Sequence, residues 1–212
     1  FKRIEIDGQW YTQDRGYSFE QQFNKNTDDV LANKRLVDYR RPELASQTPM
    51  MLFSPTIVND GRRMMIGSQP FGFMNGSLHD KQDMMGPENV EFIKLFEPNL
   101  GQNVKFTSVL RMNSTFPYIL PMVTLPTTPE IQVMDAGIRD NYGTKSTVRY
   151  VMALKDWIKE HTSGIVLVEI RDIKKDYDIV DTERMTLAKR FVRPVLNFYS
   201  NYLHAQEYNA TE

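Results

Sequence analysis

Apolar residues recur at helical spacing in several parts of the chain, and most regularly near residue 150. Residues 147–161 place one apolar stripe between charged positions, made of Tyr150, Val151, Leu154, Trp157 and Ile158. Spacings of three and four residues predict one amphipathic helix over this range. Weaker patterns predict two short helices between Phe19 and Pro42, the second capped by Thr27, and short helices over residues 90–96 and before Pro117. A C-terminal helix is predicted over residues 182–212.

Strand-like runs lie on both sides of the helix predicted over residues 147–161. Ile131–Met134 precedes it, and the near-continuous apolar run at residues 165–170 follows it. Such runs are typical of strands buried in parallel sheets, so we predict a right-handed βαβ unit. Earlier, Asp60-Gly61 separates two β-like runs and favours a type I′ hairpin. The predicted fold class is α/β, with a mainly parallel sheet, flanking helices and a flexible surface loop over residues 71–89.

Asp135 directly follows the apolar run at Ile131–Met134, within the stretch VMDAGIRDNYG. In α/β proteins, ligands bind at the carboxyl ends of the strands, so a carboxylate there is a candidate for chemistry. The alternative is that Asp135 caps a turn or the following helix, as aspartates often do. The residues of this stretch leave both interpretations open.

Composition and charge narrow the classes of function. The chain carries 26 basic and 27 acidic residues, a net charge of -1, so we expect no nucleic-acid partner. It contains no cysteine, which excludes thiolate nucleophiles and cysteine-ligated zinc. No apolar run reaches the roughly 18 residues of a transmembrane helix. We expect a soluble segment of unsettled compartment, cytoplasmic or at a membrane surface.

Three short motifs stand in a fixed order along residues 48–172. The first contains Thr56, Gly61 and Arg62; the second contains Arg111, Ser114 and Pro117; the third contains Asp135, Gly137, Asn141 and Gly143. In this order they resemble the C-terminal half of a patatin-like phospholipase domain. Ala136 departs from the pattern, because the family usually has glycine after the aspartate.

The resemblance implies a three-layer patatin-like fold, of which residues 1–212 are the C-terminal part of a single domain. It also implies a Ser–Asp dyad that hydrolyses a lipid or other ester without a cofactor, with contact to a membrane surface. Asp135 would be the catalytic base, supported by Gly137, Asn141 and Arg111. The alternative is a non-catalytic α/β ligand-binding or interaction module with no serine anywhere.

The nucleophile of such a dyad is missing from the chain. The motif G-x-S-x-G is absent: Gly16 and Ser18 are followed by Phe19 and Glu20. We therefore expect the serine upstream of Phe1 and no ester hydrolysis by this chain alone. The oxygen-rich residues Asp135, Asp140 and Asn141 lack the ligand ladder of a calcium loop, so no metal is predicted.

Overall fold

The computed structural model describes residues 3–6, 9–74, 88–96, 100–116 and 119–170. The chain divides into two compact units, Phe1–Arg139 and Asp140–Glu212. The C-terminal helix predicted over residues 182–212 lies outside the described residues. The strands of the first unit are β1 (Arg3–Ile6), β2 (Gln9–Thr12), β3 (Thr56–Ile57), β4 (Arg63–Met65), β5 (Asn89–Glu91), β6 (Val123–Leu125) and β7 (Ile131–Met134).

Four α-helical segments accompany these strands: α1 (Arg15–Asn26), α2 (Arg40–Leu44), α3 (Phe106–Ser114) and α4 (Gly137–Asp140). Short 3₁₀ turns occupy Leu36–Tyr39, Gly72–Met74, Phe92–Leu95 and Gly101–Asn103. The second unit contains α5 (Thr144–Ala153) and α6 (Lys155–His161). The α/β class predicted from the sequence is confirmed.

The main sheet has five strands in the order β5-β4-β3-β7-β6 and is mixed. The prediction of a mainly parallel sheet was wrong, because three of the four pairings described in this five-stranded sheet are antiparallel and only β4 with β5 is parallel. The connections explain this. Tight turns join β3 to β4 and β6 to β7, and such links permit only antiparallel neighbours, whereas a longer segment separates β4 from β5.

The core lies between this sheet and α3, which packs against β7, while α1 packs against α3. Val109 of α3 and Val133 of β7 are both completely buried. Burying each such side chain contributes about 1.5 to 3 kcal/mol. The remaining members of the core cluster are Leu36, Ile57, Met64, Ile66, Phe92, Met112 and Leu125. The strand predicted at Ile131–Met134 and the helix predicted before Pro117 are confirmed by β7 and α3.

The first helices differ from the prediction. Thr27 is the C-cap of α1 and not the N-cap of a second helix, because its hydroxyl donates to the carbonyls of Phe23 and Asn24, both at 3.0 Å. Asp28 and Asp29 follow in the left-handed region, with φ of 49° and 58°. Aspartate tolerates this conformation better than most residues, which lets the chain turn away from the helix axis.

The predicted hairpin forms, but its turn is not type I′. Among the loop residues between β3 and β4, only Gly61 has a positive φ, of 75°, whereas type I′ requires two such residues. Gly61 N–H donates to the Ile57 carbonyl at 2.9 Å. The Asp60 carboxylate binds the Arg62 guanidinium at 2.7 Å. Partial burial acts to raise the pKa of Asp60, but the hydrogen bonds and charge of Arg62 outweigh it and lower that pKa.

The ends of the predicted loop over residues 71–89 are part of the core. Phe71 and Met74 are each 1% exposed. Phe71 N–H donates to the Glu91 carboxylate at 2.7 Å, and the Asn89 side chain donates to the Met74 carbonyl at 2.8 Å. Residues 75–87 lie outside the described residues. Instead of the helix predicted over residues 90–96, the chain forms β5 and a 3₁₀ turn.

In the second unit, the single helix predicted over residues 147–161 is two helices. The break falls at Leu154, whose N–H is shared between the Tyr150 and Val151 carbonyls at 3.2 Å each. The strand predicted at residues 165–170 was wrong: this segment forms no strand, and its apolar side chains are 48% to 89% exposed. Within the described residues this segment pairs with no strand, and an isolated strand is not stable in water.

Candidate functional site

Asp135 is held where β7 ends and the chain turns towards α4. Its N–H donates to the Thr115 carbonyl at 2.8 Å. Its own carbonyl accepts a hydrogen bond from the Thr56 hydroxyl at 2.9 Å. Thr56 and Thr115 are 3% and 0% exposed, whereas Asp135 is half-buried. The backbone of Asp135 is therefore fixed by β3 on one side and by the segment after α3 on the other.

The next residue, Ala136, is bound to the last turn of α3. Ala136 N–H donates to the Asn113 carbonyl at 3.2 Å, and the Asn113 side-chain oxygen accepts from Ser54 N–H at 3.0 Å. Asn113 thus links the end of α3 both to the strand region before Thr56 and to the turn after Asp135. The alanine fits this turn without backbone strain, because the described residues other than glycine with positive φ are Asp28, Asp29 and Ser46.

The carboxylate of Asp135 accepts a hydrogen bond from Gly137 N–H, with 2.6 Å between Oδ1 and the nitrogen. This is the geometry of an aspartate that closes a turn two residues ahead and satisfies a donor at the start of α4. The contact fixes one oxygen of the carboxylate and orients its plane. Asp135 and Gly137 therefore lie together through the capping contact that was the alternative interpretation.

Arg111 lies on α3, with its guanidinium directed at α1. Its side chain is only 16% exposed and pairs with Asp14 at 3.3 Å and with Glu20 at 3.5 Å. Gly16 lies directly beneath the guanidinium, where any Cβ would overlap it. The Arg111 carbonyl accepts from the Thr115 hydroxyl at 2.6 Å. Arg111 therefore anchors α3 to α1, and the contacts that lead from it to Asp135 pass through Thr115.

Asn141 belongs to the second unit, half-buried in the turn between Asp140 and α5. Asp140 is 5% exposed, and its carboxylate accepts from the N–H groups of Lys145 at 3.0 Å and Ser146 at 2.7 Å. Gly143 occupies the N-cap position with a φ of 70° and has no side chain to cap the helix. Asp140 supplies that cap, a role that the sequence pattern did not indicate.

Two of the described serines donate to a carboxylate. Ser108 is half-buried and donates to Glu20 at 3.0 Å, beside the ion pair of Glu20 with Arg111. Ser68 is 0% exposed and donates to the Glu43 carboxylate, which also accepts from Met51 N–H at 3.2 Å. This contact ties α2 to the segment after β4, and a fully buried hydroxyl cannot attack an ester.

The described residues hold no group of three or more histidine, cysteine or acidic side chains placed to bind a metal ion. None of the described helices has the length and apolar character needed to cross a bilayer.

Three residues of the network around Asp135 and Ala136 were missed from the sequence, namely Ser54, Asn113 and Thr115. Their signal was present as polar residues in two of the short motifs, at the end of α3 and just before β3.

Comparisons with protein-family models, curated proteins and solved structures give no match to this chain.

Proposed function

We propose that this chain supplies the aspartate of a Ser–Asp dyad in a patatin-like lipid acyl hydrolase. The observation that carries the proposal is the placement of Asp135. This half-buried residue directly follows a core strand, and neighbouring elements bind both its backbone N–H and its backbone C=O. A general base must be held within hydrogen-bond distance of the proton that it removes, and this requirement can be met in many folds. The order of the three short motifs supports the same assignment.

In this proposal the serine comes from outside the 212 residues. Asp135 accepts the proton of the serine hydroxyl as the serine oxygen bonds to the ester carbonyl carbon. The proton then passes to the departing alcohol, and a water molecule releases the acyl group by the reverse steps. The substrate would be a lipid ester or related ester at or near a membrane surface. Gly137 would orient the carboxylate through its N–H, while Asn141 would hold the turn that follows.

Labelling with a fluorophosphonate, which reacts with activated serines, tests this proposal. The chain alone should show no labelling above a denatured control. We use the term parent protein for this chain together with the segment that contributes the serine. The parent protein should be labelled, and Asp135→Asn should slow that labelling by about a hundredfold or more. Labelling of a serine within the 212-residue chain would contradict the proposed division of the dyad.

A non-catalytic ligand-binding or interaction module is the second candidate, and one observation favours it. The 2.6 Å contact between Gly137 N–H and the Asp135 carboxylate is what a turn requires even where no chemistry occurs. For such a module, Asp135→Ala would lower stability by about 1 kcal/mol, the usual cost of a lost cap. The parent protein would then contain no serine that reacts with the fluorophosphonate.

A further inference from the structure

We propose that Thr56 is the positioning residue of Asp135, acting through the main chain and not through the carboxylate. The inference rests on the proposed function, because it concerns the same aspartate. Its basis is the hydrogen bond from the hydroxyl of Thr56, which is 3% exposed, to the Asp135 carbonyl at 2.9 Å.

The register of the sheet explains why this bond forms. β3 and β7 are antiparallel, with Thr56 opposite Met134 and Ile57 opposite Val133. Asp135 is the first residue beyond the paired part of β7, where its N–H already turns to Thr115. The Thr56 hydroxyl therefore continues the connection between the two strands for one residue after their paired segment ends.

This contact differs from the other hydrogen bonds that hold the main chain of Asp135 and Ala136. The bonds from Asp135 N–H to Thr115 and from Ala136 N–H to Asn113 join backbone groups, so they do not depend on side-chain identity. The Thr56 bond is made by a side chain and can be deleted by a single substitution. Without this bond, the Asp135 carbonyl loses its donor next to the buried Thr56. The peptide between Asp135 and Ala136 is then expected to rotate.

Rotation of that peptide would redirect the carboxylate, because the same backbone sets the direction of the Asp135 Cα–Cβ bond. Displacement of a catalytic group by about 1 Å can lower a rate by roughly a hundredfold. Binding of the substrate would change little, because Thr56 itself is 3% exposed and lies below the surface. Loss of positioning therefore predicts a lower kcat with an almost unchanged KM.

Ester hydrolysis by the parent protein tests the inference, with rates expressed per folded molecule. Thr56→Val removes the hydroxyl and keeps the shape, and it should lower kcat by at least about tenfold with KM within about twofold. Thr56→Ser keeps the hydroxyl and should retain kcat within about threefold. The control is Thr107→Val, at an equally buried threonine of α3 that is 2% exposed; it should leave kcat unchanged.

The outcomes separate this inference from the proposed function. If Asp135→Asn abolishes turnover while Thr56→Val has normal kcat, the positioning role is wrong and the dyad stands. If Asp135→Asn retains turnover, the proposed function fails whatever Thr56→Val does. Should Thr56→Val not fold, Thr56→Ser is compared with Thr56→Ala, since both lack the methyl group. Equal kcat values for serine and alanine would overturn the positioning role.

Discussion

Gly16 and Arg111 form a coupled pair whose energetics can be predicted from their contact. Gly16 lies in the first turn of α1, where alanine would ordinarily be favoured over glycine by up to about 1 kcal/mol. In this protein an alanine Cβ would overlap the Arg111 guanidinium, so the arginine must leave its place between Asp14 and Glu20. Gly16→Ala therefore has two opposing effects on stability: it raises the helix propensity of α1, and it disrupts the ion pairs of Arg111 with Asp14 and Glu20.

The size of the second effect follows from burial. The Arg111 side chain is 16% exposed, and the Glu20 side chain is 14% exposed. Hydrogen bonds to charged groups contribute about 1.5 to 3 kcal/mol, whereas exposed pairs contribute under about 1 kcal/mol. We take about 2 to 3 kcal/mol for the whole cluster, because the Asp14 side chain is 36% exposed and its bond is correspondingly screened. Gly16→Ala should then destabilise the protein by about 1 to 2 kcal/mol.

Urea unfolding followed by circular dichroism measures this change and its origin. In an Arg111→Ala background the overlap is gone, so Gly16→Ala should stabilise α1 by about 0.5 to 1 kcal/mol. The coupling between the two positions should be about 2 kcal/mol. Gln21→Ala, at an exposed position of α1, is the control and should stay within about 0.5 kcal/mol of wild type. Gly16→Ala that is neutral in the wild type, or equally harmful in both backgrounds, would refute the packing argument.

Three further predictions concern stability. Val133→Ala should cost about 2 to 3 kcal/mol in urea unfolding, since it opens a cavity at a side chain that is 0% exposed; a cost below about 1 kcal/mol would contradict a close-packed core there. Asp140→Ala should cost about 1 to 2 kcal/mol by uncapping α5, and should lower Tm, whereas the exposed control Asp156→Ala should not. The contribution of Asp60, whose pKa is lowered by Arg62, should be present above the ordinary value of 3.8 and lost as pH falls through the lower folded pKa. Wild type and Asp60→Asn should therefore differ by under about 1 kcal/mol near neutral pH and converge in acid; a difference that grows in acid would have the wrong sign.

Local patterns predicted the parts of the fold that depend on local physics. Ile131–Met134 and Phe106–Ser114 each carry their own apolar pattern and each pack against the core, so strand and helix were both predictable. Asp60-Gly61 marked a turn, although the turn type depended on which residue takes a positive φ. Asp135, directly after β7, was chosen as a candidate site residue for a similar local reason, because it interrupts an apolar run.

The predictions were wrong where the structure of a segment depends on a neighbouring strand or on a hydrogen-bond partner. Residues 165–170 have the composition of a buried strand, but a strand needs neighbours, and composition does not reveal whether neighbours exist. Thr27 precedes two aspartates, which is typical of a helix start, yet its hydroxyl turns back to the carbonyls of Phe23 and Asn24. The contacts of Asp135 with Thr56 and Thr115 join distant segments, and no spacing in the sequence predicts them.

The most direct test of the account is the kcat of the parent protein for a short-chain ester after Asp135→Asn. The replacement keeps the size of the side chain and can still accept from Gly137 N–H, so the fold should persist. We expect a loss of at least about a thousandfold in kcat. The control is Asp156→Asn, at an exposed aspartate of α6, which should keep the kcat of the wild type. Turnover by Asp135→Asn within about tenfold of wild type would contradict the assignment of Asp135 as the dyad aspartate.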